Sequence, residues 1–387
     1  MGPGREVAAP MPLQPRVPIR LAFTFRVLAS LALCGMSTPA AAAGAPANPQ
    51  HTEPVSGVHV FQTAPYGDVG LDGNSVAIVT SGGVVVFDAN GTPAAAHAVI
   101  AQIRKVTQQP VRYLVLSHWH WDHWYGAEVY ASEFPGLIIV AHERTRALMA
   151  GPAVEFNRPG LESQLPAHIQ QVEATAAKAR SGLRKEEAAR EEAHAAQDRA
   201  FLEAKRSVKF TLPTLTFADS LTLFLGEREI QVRSPGHAIT PGDAYLYLPR
   251  ERVLVTGDLL VNPITYALFC YPTGWISALE RLDAFDATWI IPGHGAPMRS
   301  EQLLHDTHDL LVRERKLALA LKAAGRSVEY AKKEVLLDQE VRRLREAIAG
   351  LDPSPQESFN VYLVDWFVSR VYEEADGRLD DRIPTRP

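Results

Sequence analysis

One short stretch limits this chain more than any other. Ser117-His118-Trp119-His120-Trp121-Asp122-His123 begins where an apolar run, Val111-Arg112-Tyr113-Leu114-Val115-Leu116, stops. The run reads as a buried strand, and loops at strand ends are where a rigid scaffold presents functional groups. A lone His has many structural explanations. Three His and one Asp among six residues, alternating with Trp, call for a metal. On an extended segment His118 and His120 point the same way and can share one ion, while Asp122 and His123 turn toward a neighbouring position. A His and carboxylate set suits Zn²⁺, and three protein ligands with one open position make a catalytic rather than a structural site.

Three further ligand-type residues follow short apolar runs. They are His237 in Val232-Arg233-Ser234-Pro235-Gly236-His237, Asp258 in Val253-Leu254-Val255-Thr256-Gly257-Asp258, and His294 in Trp289-Ile290-Ile291-Pro292-Gly293-His294. Each has a Gly just before it, which lets the backbone turn sharply. Asp88 likewise ends the run Val84-Val85-Val86-Phe87. It is expected to anchor the His-rich loop from behind, or else to cap local backbone.

Short strands and helices alternate around these motifs, which argues for an α/β layered fold. The amino terminus has the three parts of an export signal: Arg5, Arg16 and Arg20, then the apolar run from Val27 to Met36, then small residues Ala40 to Ala43. The expected organisation is therefore a signal peptide over 1–43 and a Pro/Ala-rich linker over 44–54. A main domain follows over 55–299, then a helical extension over 300–387 whose polar end, from Asp376 on, should fray. The apolar run is too short for a bilayer, which takes about 20 residues, so no stable membrane span is expected in the mature chain. The stretch 160–207 is rich in Ala, Glu, Lys and Arg and reads as a helical insert. Val172, Leu183, Phe201 and Leu202 are its candidate contacts, with the sandwich or with a second subunit in a homo-oligomer. His168 and His194, within it, read as exposed.

The order of these motifs resembles the metallo-β-lactamase superfamily over about Val58 to Met298. The family pattern H-x-H-x-D-H matches His118, His120, Asp122 and His123, and its later His, Asp and His match His237, Asp258 and His294. The resemblance implies a four-layer αββα sandwich holding two zinc ions. The first would lie on His118, His120 and His237, the second on Asp122, His123 and His294, with Asp258 bridging them. Two such metals, about 3.5–4 Å apart, hold a hydroxide and polarise an acyl or phosphoryl oxygen. Asp122 would orient that hydroxide or pass its proton to the leaving group.

Two departures from the family pattern narrow the expectation. Asp258 stands where true β-lactamases of the family carry Cys or Ser. The family's G-H-T-x-G-D segment is stretched by two residues, to Gly236-His237-Ala238-Ile239-Thr240-Pro241-Gly242-Asp243. The leading expectation is an exported dinuclear zinc hydrolase, periplasmic or secreted, acting on an ester, thioester, lactone or amide of a small-molecule substrate. The alternatives are a β-lactamase, a sulfur dioxygenase with one iron, and a non-catalytic binding module. The net charge of −5, which becomes −8 without residues 1–43, gives no support for a nucleic-acid partner.

Overall fold

The computed structural model describes residues 48–66 and 70–383. The expected signal peptide lies outside the described residues. Twelve strands are described: β1 (Gln50–Val55), β2 (Val58–Gln62), β3 (Ser75–Thr80), β4 (Gly83–Phe87), β5 (Val111–Val115), β6 (Ile138–His142), β7 (Leu215–Phe217), β8 (Ser220–Leu225), β9 (Arg228–Arg233), β10 (Tyr245–Leu248), β11 (Val253–Gly257) and β12 (Trp289–Pro292). They form two sheets, ordered β1-β2-β3-β4-β5-β6-β7 and β12-β11-β10-β9-β8. The first begins as an antiparallel meander and becomes parallel from β4 onward. The second is antiparallel except for β11 and β12.

Between the sheets lies an aliphatic layer that includes Val60, Ile78, Val85, Val115, Ile230, Leu246, Val255 and Ile291. The opposite face of the first sheet buries Val84, Val86 and Leu114 under α1 (Pro93–Val106). That helix starts cleanly because Thr92 accepts from the Ala95 amide and Pro93 fills the first position, where a missing N–H costs nothing. Past the first ligand stretch come α2 (Trp121–Trp124), α3 (Ala127–Glu133) and α4 (Glu143–Met149). The outer face of the second sheet lies under Trp275 and Leu279 of the helix Pro272–Asp283 and under the carboxy-terminal helices. The result is the four-layer αββα sandwich.

The sequence reading needs correction at three places. Gln50–Val55, within the expected linker, is an edge strand that pairs Gln50 with Gln62. Its first four residues are exposed, so backbone pairing rather than burial holds it, and no apolar pattern marks it. The carboxy-terminal segment does not fray at Asp381: this carboxylate pairs with Arg144 and lies 2.6 Å from His237 Nε2. His168 and His194 are only partly exposed, and both face Asp198.

The insert comprises α5 (Pro152–Pro159), a wide turn of helix at Gly160–Gln164, and the antiparallel pair α6 (Leu165–Ser181) and α7 (Lys185–Arg206). Phe201 and Leu202 pack with Leu165 and Ile169 against Tyr66 and Trp121. Each large apolar side chain buried this way contributes about 1.5–3 kcal/mol. Val172 is buried too, whereas Leu183, in the turn between the helices, is 83% exposed. Lys205 completes the contact, its Nζ 3.1 Å from the centre of the Trp121 ring and 4.1 Å from that of Tyr125. The extension after the sandwich is helical as expected: α8 (Pro272–Asp283) precedes β12, and α9 (Gln302–Ala323), α10 (Val328–Leu337), α11 (Gln339–Ala349), α12 (Pro353–Phe359) and α13 (Trp366–Ala375) follow it.

Candidate metal centre

The site forms where four strands of the two sheets end at one edge. Asp88 follows β4, the stretch from Ser117 to His123 follows β5, Asp258 follows β11, and His294 follows β12. Gly293 is required here: a Cβ at that position would lie 2.1 Å from Asp258 Oδ1. Gly73 is needed for the same reason, since its Cβ would strike the His123 ring at 2.3 Å.

Asp258 organises the ligands. Its Oδ1 lies 3.3 Å from His123 Nε2 and 3.4 Å from His294 Nε2. Its Oδ2 faces the other way, 3.7 Å from His118 Nε2. Asp122 Oδ2 sits 3.3 Å from His123 Nε2 and 3.2 Å from His294 Nε2. The rings of His118 and His120 meet edge to face with centroids 4.4 Å apart. The buried nitrogens His118 Nε2, His120 Nε2 and His123 Nε2, together with Asp258 Oδ1, have no hydrogen-bond partner. Leaving such groups buried and unpaired costs about 1–3 kcal/mol each, so their convergence fits a resident metal. His118, His123 and Asp258 form one possible ligand group, and Asp122, His123 and His294 another.

Asp88 stands behind this set. Its Oδ2 lies 2.8 Å from His123 Nδ1, and its Oδ1 accepts from the Ser117 amide at 2.7 Å. The first contact fixes the tautomer that aims His123 Nε2 inward. Replacing Asp88 with Asn is expected to weaken metal binding about 10–100-fold. Competition against a chromophoric chelator measures this, and an unchanged affinity would reduce Asp88 to a backbone cap.

His237 does not join the cluster, contrary to the expected first-metal set. Its Nε2 faces Asp381, its ring rests on Tyr271, and its side chain is 39% exposed. The two extra residues explain this. Thr240 and Asp243 close a tight turn, with the Thr240 amide and hydroxyl both donating to the Asp243 carboxylate. Directly before Thr240, where the family pattern has its His, stands the buried Ile239. His118 is thus grouped with His123 and Asp258, and the His120 ring lies edge to face against it.

Charge in the pocket divides along the same line. Burial pulls the pKa of His118 well below normal, aided by His123 and His120, and brings His120 to about 4. Burial also opposes charge on His294, but Asp258 and Asp122 outweigh it and lift that pKa to about 9. His123 is held well up against its burial by Asp258, Asp122 and Asp88. Both carboxylates, Asp122 and Asp258, stay ionised despite burial because His123 and His294 face them. A metal entering here displaces protons from His294 and His123. Affinity is therefore expected to fall at least tenfold per pH unit on going from pH 8 to pH 6. Chelator competition across that range tests this; a flat profile would mean that no proton leaves.

Sequence reasoning missed three residues around the site. Asp72 receives hydrogen bonds from Tyr66, Thr63 and the Gly91 amide, and burial lifts its pKa to about 6. Asn74 donates to the carbonyls of Pro292 and Gly295, pinning the loop that carries His294. Lys205 reaches Trp121 from the insert, and burial depresses its pKa strongly even though Asp122 and Asp72 oppose this. The first two sit in an Asp-Gly-Asn step just before β3, a detectable signal. Lys205 is one lysine in a charged helix, and nothing in the sequence singles it out.

The metallo-beta-lactamase superfamily profile matches residues 68–294, more than half of the chain. The chain belongs to the metallo-β-lactamase superfamily. Within this superfamily of metal-dependent hydrolases it is similar to a linear primary-alkylsulfatase from a Pseudomonas species. The two are 24% identical over 253 residues, covering 59% of this chain and 43% of the relative. Among solved structures it is similar to the stereoselective inverting sec-alkylsulfatase Pisa1 from Pseudomonas sp. (TM-score 0.55, 16% identity, 84% of this chain and 50% of that one). A metallo-β-lactamase from Pontibacter korlensis matches at TM-score 0.49 and 20% identity, over 68% of this chain and 98% of that one. The chain spans about half the length of the alkylsulfatases it matches. Among the described residues, no helix is long and apolar enough to cross a membrane.

Proposed function

We propose that the chain is an exported dinuclear zinc hydrolase acting on an ester, thioester, lactone or amide bond of a small molecule. The observation that carries this is Asp258, whose Oδ2 faces His118 while its Oδ1 faces His123 and His294. His118, His120 and Asp258 would hold one ion, leaving a position open. Asp122, His123, His294 and Asp258 would hold the other. The pair supplies Lewis-acid polarisation of the scissile group and lowers the pKa of water from 15.7 to about 7.

The protein's own residues do the rest. Asp88 fixes His123. Asp122 is partly exposed, at 13%, and its free edge can take a proton from attacking water and return it to the leaving group. Trp119, Phe156 and Phe269 pack into an aromatic wall, with His120 and Tyr266 against it. Trp119 and Phe269 are buried in the core, so this packing fixes the ligand loop from behind. A second reading is a sulfate ester of an apolar alcohol, which the similarity to the linear primary-alkylsulfatase supports.

Zinc-loaded protein assayed on p-nitrophenyl esters, thioesters, lactones, amides, nitrocefin and alkyl sulfates is the test. Turnover of the carbonyl substrates is expected. Turnover of alkyl sulfates alone would select the second reading. One iron per chain with oxygen uptake on a persulfide would overturn both. Export rests on the first 43 residues, and a periplasmic product that begins near residue 44 would support it.

A further inference from the structure

The helical insert carries a second ligand cluster, remote in sequence from the strand-end residues. His168 projects from α6, and His194 and Asp198 project from α7 one turn apart. The Asp198 carboxylate is fully buried, while the two imidazoles at its side are partly exposed. One oxygen, Asp198 Oδ2, lies 3.4 Å from His168 Nε2 and 3.6 Å from His194 Nε2. The ligand atoms of all three residues fall within 4.8 Å of one another.

These spacings have a geometric meaning. Four ligands at about 2.0–2.1 Å around a tetrahedral ion stand about 3.4 Å from each other. A charge-assisted N–H···O contact is shorter, about 2.7–2.9 Å. The strand-end site gives an internal standard, since its imidazole-to-carboxylate distances run from 3.2 to 3.4 Å around His123 and His294. The cluster in the insert repeats that spacing to within a few tenths of an ångström. Glu191, one turn before His194, lies 3.7 Å from its Nδ1 and so leaves Nε2 to face the shared point. A carboxylate behind an imidazole is the usual support for a metal-bound His.

The structure assigns to His168, His194 and Asp198 a second metal site, for a divalent transition ion such as zinc, that staples α6 to α7. A staple suits this element. Toward the turn that joins the helices, the buried apolar residues of the pair are all Ala (Ala176, Ala179, Ala188 and Ala195), and small side chains give that end little apolar area. Phe201 and Lys205, further along α7, are seated on Trp121, whose neighbours His120 and Asp122 belong to the metal centre. Cross-linking α6 to α7 therefore steadies the element that leans on the ligand loop.

The test is metal stoichiometry. Wild type, His194→Ala and His168→Gln are dialysed to equilibrium against buffered zinc, and metal per chain is measured by mass spectrometry. Each variant should bind one zinc fewer than wild type while its hydrolytic rate per chain stays within about twofold. The same zinc count in wild type and both variants would overturn the assignment and leave a proton-bridged His–Asp–His network in its place. Loss of every metal from both variants, with native circular dichroism, would also overturn it, because the insert would then belong to the strand-end centre. His168→Gln keeps a polar side chain in the hairpin and serves as the reading if His194→Ala fails to fold. The result is a difference between proteins, so it stands whatever the strand-end centre binds or hydrolyses.

Discussion

Asp258→Ala is expected to remove both metals of the strand-end centre and to reduce hydrolysis to background. Its carboxylate lies between the two sides of the site, Oδ2 3.7 Å from His118 and Oδ1 3.3–3.4 Å from His123 and His294. Losing an outer partner of a ligand costs about 10–100-fold in metal affinity, and a bridging ligand exceeds that at both positions. The change also removes a negative charge that holds the His294 and His123 pKa values up, so these residues become easier to deprotonate as metal binding fails. Zinc content and rate are measured on the same preparation. If one metal stays at full occupancy, Asp258 does not bridge.

The second large effect is a contrast between two histidines that the sequence treats alike. His118→Ala should abolish activity and empty the position shared with His120, because its buried Nε2 has no other partner. His237→Ala should leave metal content and kcat/KM almost unchanged. Its ring is partly exposed and faces Asp381, and substitutions at such positions usually stay within about 0.5 kcal/mol. A His237→Ala protein that loses a zinc would mean that this side chain leaves Asp381 and swings inward when metal is present.

The placement of these residues shows what sequence could supply. The meeting of His118, His120, Asp122, His123, Asp258 and His294 was legible because the segments that carry them begin where apolar strands end, and strand ends of one layered fold meet at one edge. Asp88 was legible for the same reason. His237 also follows a strand and a Gly, yet the structure directs it elsewhere. Matching a pattern assumed that the His keeps its place while the loop after it stretches. In the structure the turn from Thr240 to Asp243 is the fixed part, and the inserted residues push His237 away from the ligands. The sheets were readable from apolar runs, while the edge strand Gln50–Val55 carries no such run because its first four residues are all exposed, on both faces. Lys205 and the trio His168, His194 and Asp198 depend on how two charged helices pair and dock. A charged helix with many similar residues does not disclose which of them meet.

The placement of ligands along the chain also governs when the centre can exist. Asp88 and the stretch from His118 to His123 leave the ribosome with the first sheet, but Asp258 and His294 hang from β11 and β12, the last strands made. Until His294 has emerged and the second sheet has closed over the first, the early residues offer three imidazoles and the Asp122 carboxylate but lack Asp258, which faces His118 on one side and His123 and His294 on the other. The full ligand set is thus complete only at the end of chain assembly, when the last two strands bring Asp258 and His294 to the edge where the earlier residues wait.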